Sequence, residues 1–321
     1  MVVGGPSPCQ AQGRAYSGEV RAVLQHPARA ALAGAVAIAF SGILYQASEV
    51  SPSTGAFFRC AYALPALWIV VRYEERLLGP RPAESRRWAW LAGAFLAADL
   101  LLWHHSIEAV GAGLATVLGN TQVVMVGLLA WALFSERPSN RSLAAIPIAM
   151  VGVVLISGVL EEGAYGDSPA LGVLFGLLTG AAYSGFLLAL RHGAGERQRV
   201  AGPLFDATLA SAVLVLPIGL ALGDLDLVPG LEAQGWLIAL ALSAQVLGWL
   251  LITVSLPRLP AVVTSILLTL QPVATVVLAA ILIDENPSAL QLAGAATILS
   301  GLLIASVGRR AVAPEPLPER L

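Results

Sequence analysis

Lysine is absent: all eighteen basic residues are arginine, which we read as a codon or lineage bias rather than a functional device. Charged residues of both signs make up only 12% of the chain, the net charge is −2 and the pI is near 6.1. No basic stripe with interleaved aromatics exists, which argues against a nucleic-acid partner. The two cysteines, Cys9 and Cys60, form no disulfide framework and have no metal-ligand spacing. We therefore expect neither a metal nor a cofactor. What fills the space is apolar: 57% hydrophobic residues and a mean hydropathy of +0.78 place the chain outside the soluble class, as an all-α integral membrane protein.

A bilayer core needs about 20 mostly apolar residues per helix. Ten such runs fall near 30–48, 54–73, 88–109, 112–134, 142–160, 170–191, 203–223, 235–256, 261–283 and 289–308. Breakers separate them, among them Ser51-Pro52-Ser53, Gly79-Pro80-Arg81-Pro82, Pro229-Gly230 and Asn286-Pro287-Ser288. Arg-bearing loops stay cytoplasmic, and with the amino terminus inside every arginine except Arg59 falls on the inner side. The outer loops then carry acids such as Glu49, Glu108, Asp224, Asp226 and Glu285. Both termini are expected to be cytoplasmic in a multi-pass protein of the cell (inner or plasma) membrane.

The stretch from Thr116 to Ser139 is written a second time from Ser265 to Ser288, at one constant offset of 149 residues. Gln122 aligns with Gln271, Glu136 with Glu285, Pro138 with Pro287 and Ser139 with Ser288. A weaker match at an offset of 138 pairs Gly34 with Gly172, Gly42 with Gly180 and Tyr45 with Tyr183. With five helices per half, the second half must enter the membrane inverted. The expected fold is ten transmembrane helices as two inverted five-helix repeats, a signature of carriers. The repeats span 30–160 and 170–308, between cytoplasmic tails at 1–29 and 309–321.

Ten helices in two such halves, each with a fourth helix ending in an acid followed by Pro, resemble the drug/metabolite transporter superfamily and, within it, the EamA-type family. Phe58-Arg59 and the runs Ala112 to Glu136 and Ala261 to Glu285 carry the resemblance over about residues 30 to 308. One departure is that Gln271-Pro272 keeps a proline typical of the family while Gln122-Val123 does not. The resemblance implies alternating-access transport of a small solute such as an amino acid, nucleoside, sugar or drug.

Asp99 is the sharpest single signal, near the middle of the third run. A charge at that depth costs about 2.5–3.5 kcal/mol on the lenient scale, so it must face a cavity, be paired or be protonated. Arg59 is the available partner for a structural pair. Trp103 shares a face with Asp99; His104 and His105 follow, about 100° apart, and His104 is a candidate vestibule residue. Thr116 and Asn120 lie one turn apart, and Ser265 and Thr269 repeat them. Gln122 and Gln271 lie about 160° around, so both sets reach one cavity only if the helix bends, as Gly119, Gly127 and Pro272 allow. Tyr45, Tyr183, Gln245 and Trp249 complete the candidate lining.

These residues predict a secondary transporter, with export favoured, Asp99 coupling to protons, and a small-molecule solute as partner within the lipid bilayer. Uptake or exchange by the same fold, and a non-transporting scaffold or sensor, are the alternatives. An intramembrane hydrolase would need a nucleophile and base, for which Ser41 and His104 are the one candidate pair. The oligomeric state is expected to be a monomer or homodimer.

Overall fold

Long runs of Leu, Ala, Val and Gly punctuated by Pro and Asx-type breakers leave the backbone one way to satisfy its polar groups away from water, as helices. The computed structural model describes residues 26–81, 83–135, 139–193, 199–255, 259 and 261–306, with side chains at 77–78, 130, 134, 191–193, 261–269 and 306 outside the described set. Among these residues every regular element is helical. In chain order they are α1 (Pro27–Ala39), α2 (Ser41–Ala47), α3 (Pro52–Leu78), α4 (Ala83–Val110), α5 (Ala112–Gly119), α6 (Gln122–Phe134) and α7 (Asn140–Ile156). There follow α8 (Pro169–Gly193), α9 (Ala201–Leu222), α10 (Leu231–Leu240), a π-helical segment (Ala241–Gly248), α11 (Trp249–Ser255), α12 (Ala261–Leu282) and α13 (Ala289–Ser306).

Six helical stretches among the described residues are long and apolar enough to cross a membrane: Pro27–Ala47, Pro52–Arg76, Ala112–Leu133, Pro169–Leu190, Ala201–Leu222 and Leu231–Ser255. Shorter apolar helices cover Asn140–Ile156, Leu270–Leu282 and Ala289–Ala305. Large apolar side chains such as Ile69, Leu133, Val151, Leu220 and Ile281 stand exposed on these helices. So many uncovered aliphatics suit lipid rather than water as the surrounding medium.

Small residues bring the helices together. A Cβ on Gly93 would lie 2.4 Å from the Ala210 Cβ and 2.5 Å from the Ala207 carbonyl oxygen, so α4 and α9 touch backbone to backbone. Gly152 and Gly294 face each other in the same way, each within 2.7 Å of where the other's carbonyl oxygen would meet an added Cβ, and they close α7 against α13. The broadest packing lies between α4 and α8, with α9 against α3 and α4, and α1 against the π-helical segment and α11.

Carboxylates tie helix ends together across the chain. Glu74, one turn before the end of α3, accepts the N–H groups of Val200, Ala201 and Gly202 at 2.7–3.0 Å and so caps α9. Asp224, just past the end of α9, accepts the Ser53 N–H at 3.2 Å at the start of α3. At the Arg-rich end, the Asp206 carboxylate is buried and held by Arg81 through two bonds of 2.7 and 3.2 Å, with Arg86 at 3.6 Å. α9 begins at Ala201, so Asp206 sits in its second turn as the anchor of a buried ion pair.

Three expected spans are not continuous α-helices. The fourth run breaks at Asn120-Thr121, the first at Phe40, and the eighth carries the π-helical segment. At the first of these, three side chains bond back to the backbone: Thr116 Oγ1 to Ala112 O, Asn120 Nδ2 to Thr116 O and Thr121 Oγ1 to Leu118 O, at 2.6–2.8 Å. Such local bonds compete with the helical ladder and bend it. α12 runs through Pro272 without interruption.

Candidate functional site

The interior polar groups converge where α1, α2, α3, α4, α5, α8, α11 and α12 meet. They line a cavity of about 70 Å3, room for two or three waters at about 30 Å3 each. A pocket that holds a small molecule usually measures about 300–1,000 Å3. This conformation is therefore contracted around its polar lining, and a solute would have to widen it.

Of the candidate residues, Asp99, Arg59, Trp103, Thr116, Asn120, Tyr183, Trp249 and Gln271 line this cavity together. Asp99 is 9% exposed and has no hydrogen bond or ion pair among the described residues. Arg59, 4% exposed, does not salt-bridge to it. Its Nε instead donates to Gln245 Oε1 at 3.1 Å, and its guanidinium carbon lies 5.5 Å from the centre of the Trp103 ring. Gln245 in turn donates through Nε2 to Thr208 Oγ1 at 3.1 Å. The alternative of a structural pair is thus not what forms: two opposite charges share one cavity, with the cation held by Gln245.

The aromatic wall follows from local packing. Tyr183 meets Trp249 edge-on at 5.9 Å, and Phe186 backs Trp249 at 5.4 Å. Within the π-helical segment Gln245 points toward α3 and α9, while Trp249, at the first residue of α11, opens onto the cavity. An extra residue in one helical turn changes which side chains share a face, and such segments recur at functional sites.

Four candidates stand away from the lining. Tyr45 is 2% exposed and stacks on His104, with ring centres 3.9 Å apart and planes 12° from parallel. It fits there because Gly55 leaves the room: a Cβ would lie 2.5 Å from its ring. His104 is fully buried, with Nδ1 3.1 Å from the Pro52 carbonyl oxygen, so it belongs to a closed aromatic layer rather than an open vestibule. Gln122 is buried beyond the break in the helix, where its carbonyl accepts from Ser184 Oγ at 3.3 Å, and Gln245 works through Arg59. Gln271 reaches the cavity although Gln122, its repeat partner, does not; the fourth run is broken just before Gln122, whereas the ninth runs through Gln271 without a break. The side chains of Ser265 and Thr269, and the residues Glu136 and Pro138, lie outside the described residues.

Two polar lining residues stand outside the expected lining: Thr179, and Ser41, which the sequence offers only as a nucleophile. The Thr179 hydroxyl is buried without a hydrogen-bond partner. A signal was present: the offset of 138 that pairs Gly42 with Gly180 also pairs Ser41 with Thr179.

At the acidic end, Glu285 accepts the Ala112 N–H and, at 3.0 Å, the Gly113 N–H, so the third residue beyond α12 caps α5. Burial raises its pKa above the usual carboxyl value, and the two N–H donors hold it partly down. Tyr165, close by, is likewise raised, by burial first and by Glu285 and Asp167 second.

Among the described residues, an all-helical bundle with an apolar exterior, broken helices at its centre and opposite charges facing an interior cavity has the build of a membrane carrier. The chain belongs to the EamA-like transporter family, whose profile matches residues 28–158 and again 170–307. It is similar to YwfM, an uncharacterized transporter of Bacillus subtilis, at 24% identity over 72% of this chain and 78% of that one. A crystal structure that carries no functional name shares the fold, with a TM-score of 0.60 at 16% identity over 88% of this chain and 96% of that one. The protein is a multi-pass membrane transporter.

Proposed function

We propose that this transporter is a secondary carrier that exports a small organic solute by alternating access, with Asp99 as the carboxylate that exchanges a proton for the solute. The observation that carries this is the state of Asp99: almost fully buried, facing the cavity, and without a partner among the described residues. A buried carboxylate left unpaired at mid-membrane is costly unless it takes a proton or a cation. Both termini are then cytoplasmic and the Arg-rich end faces inward, in a cell membrane.

We further read the chain as ten helices in two inverted five-helix repeats. Reciprocal contacts support this. Glu74 of α3 caps α9 while Asp224 beyond α9 caps α3. Contacts that return on themselves in this way are what a two-fold axis between repeats produces.

Counterflow by the purified protein in liposomes tests the reading. Labelled amino acids, nucleosides and cationic dyes are offered against an excess of the same compound inside. Exchange of one class is the expected result. A folded protein that exchanges none of them would leave the scaffold or sensor alternative in its place.

A further inference from the structure

Resting on the carrier reading above, we infer that the transported solute is a zwitterion, with an oxyanion held by Arg59 and an ammonium held by Asp99. The argument is the juxtaposition of two unlike charged groups that face one cavity and attract each other across it without an ion-pair contact. Both side chains line one cavity, yet they form no ion pair with each other. Arg59 spends only its Nε, on Gln245, and no further hydrogen bond is made by its two terminal nitrogens among the described residues. These two nitrogens present the parallel N–H pair that binds a carboxylate in fork geometry.

Gln245 fixes that fork from the side away from the solute, and Trp103 braces it from the cavity wall. The amide takes the Nε proton and is itself anchored on Thr208, and the indole face lies along the guanidinium. Gln245 is thus a positioning residue that keeps Arg59 from swinging onto Asp99. The other titratable side chain on the cavity is Tyr183, so no further charge among the described lining residues competes with the two poles. A solute with one charge would leave the opposite pole buried and unanswered, the penalty that separates right from wrong partners. An ammonium at Asp99 also displaces the proton there, which is the exchange that export requires.

The test uses the purified full-length protein and a matched set of probes: ω-amino carboxylates with one, two or three methylenes between the charges, and the carboxylate-only and amine-only compounds of equal length. Binding is read as quenching of tryptophan fluorescence and as a rise in melting temperature. At least one zwitterion is expected to bind about tenfold or more tighter than both of its singly charged counterparts. Gln245→Glu keeps the acceptor for Arg59 Nε, while the Thr208 hydroxyl can turn to donate, so the fold is retained but the guanidinium is neutralised. This variant is expected to lose about ten- to a hundredfold in affinity for the zwitterion and the carboxylate, and none for the amine. Asp99→Asn is expected to weaken the zwitterion and the amine only.

Equal binding of a singly charged counterpart, an unchanged zwitterion affinity in Gln245→Glu, or no binding by any of the set overturns the inference. Counterflow separates this from the carrier reading. Exchange of a neutral or cationic solute without zwitterion binding sinks the inference alone, whereas the expected binding pattern with no exchange by any bound probe sinks the carrier reading and leaves a two-pole binding site without transport.

Discussion

Single side chains at helix ends govern how firmly this bundle closes, and Glu285 is the clearest case. It is 3% exposed and satisfies two N–H groups at the start of α5 that would otherwise be buried without acceptors. Glu285→Ala is expected to cost about 1–3 kcal/mol, seen as a lower melting temperature in detergent. Its pH dependence has a definite sign. Burial raises the folded pKa above the usual 4.5, so the folded state holds this proton more tightly than the unfolded chain. The contribution of Glu285 is then full below the usual carboxyl value and is lost as pH rises through the folded value. Glu285→Gln, which does not titrate, is expected to show a flatter stability profile than wild type just above pH 4.5; an identical profile contradicts this assignment.

At the scale of elements, the close approaches set what each helix tolerates. Gly111 has φ 89°, and a Cβ there would lie 2.8 Å from both Glu285 Oε1 and the Tyr165 ring. Gly152 has the Gly294 carbonyl oxygen and the Ile298 side chain each 2.6 Å from an added Cβ. Gly152→Val is expected to destabilise by about 1–3 kcal/mol through overpacking of α7 on α13, and Gly294→Val similarly. Because the two positions oppose each other, the double variant is expected to cost less than the sum of the singles. Additive losses in melting temperature would show that the helices do not meet there.

Six of the ten expected spans coincide with helical stretches long and apolar enough to cross a membrane, because apolar runs and breakers are read from composition alone. Long-range placement was less legible. Asp99, Trp103 and Tyr183 were found by depth and face, since helical spacing carries that information. The break at Asn120-Thr121 was foreseen only as a bend, because back-bonding by Thr116, Asn120 and Thr121 depends on rotamers. The π-helical segment left no mark in the periodicity, so the role of Gln245 behind Arg59 could not be read from it. Tyr45 went astray for a tertiary reason: space beside Gly55, on another helix, decides where its ring lies.

For the molecule as a whole, the distribution of arginine predicts which end faces the cytoplasm. A membrane-impermeant maleimide applied to intact cells is expected to label Gly163→Cys, in the acidic connection before α8, and to reach Asn140→Cys only after the cells are opened. The reverse pattern would invert the topology and with it the direction of export.

The account turns on Asp99, and its most direct measurement is accumulation by liposomes holding wild type or Asp99→Asn, with and without an imposed pH gradient, using a solute that shows counterflow. We predict that the gradient drives uphill movement by wild type, and that Asp99→Asn still exchanges solute but no longer concentrates it. If Asp99→Asn concentrates the solute as wild type does, Asp99 is structural and the proton-coupled account is wrong.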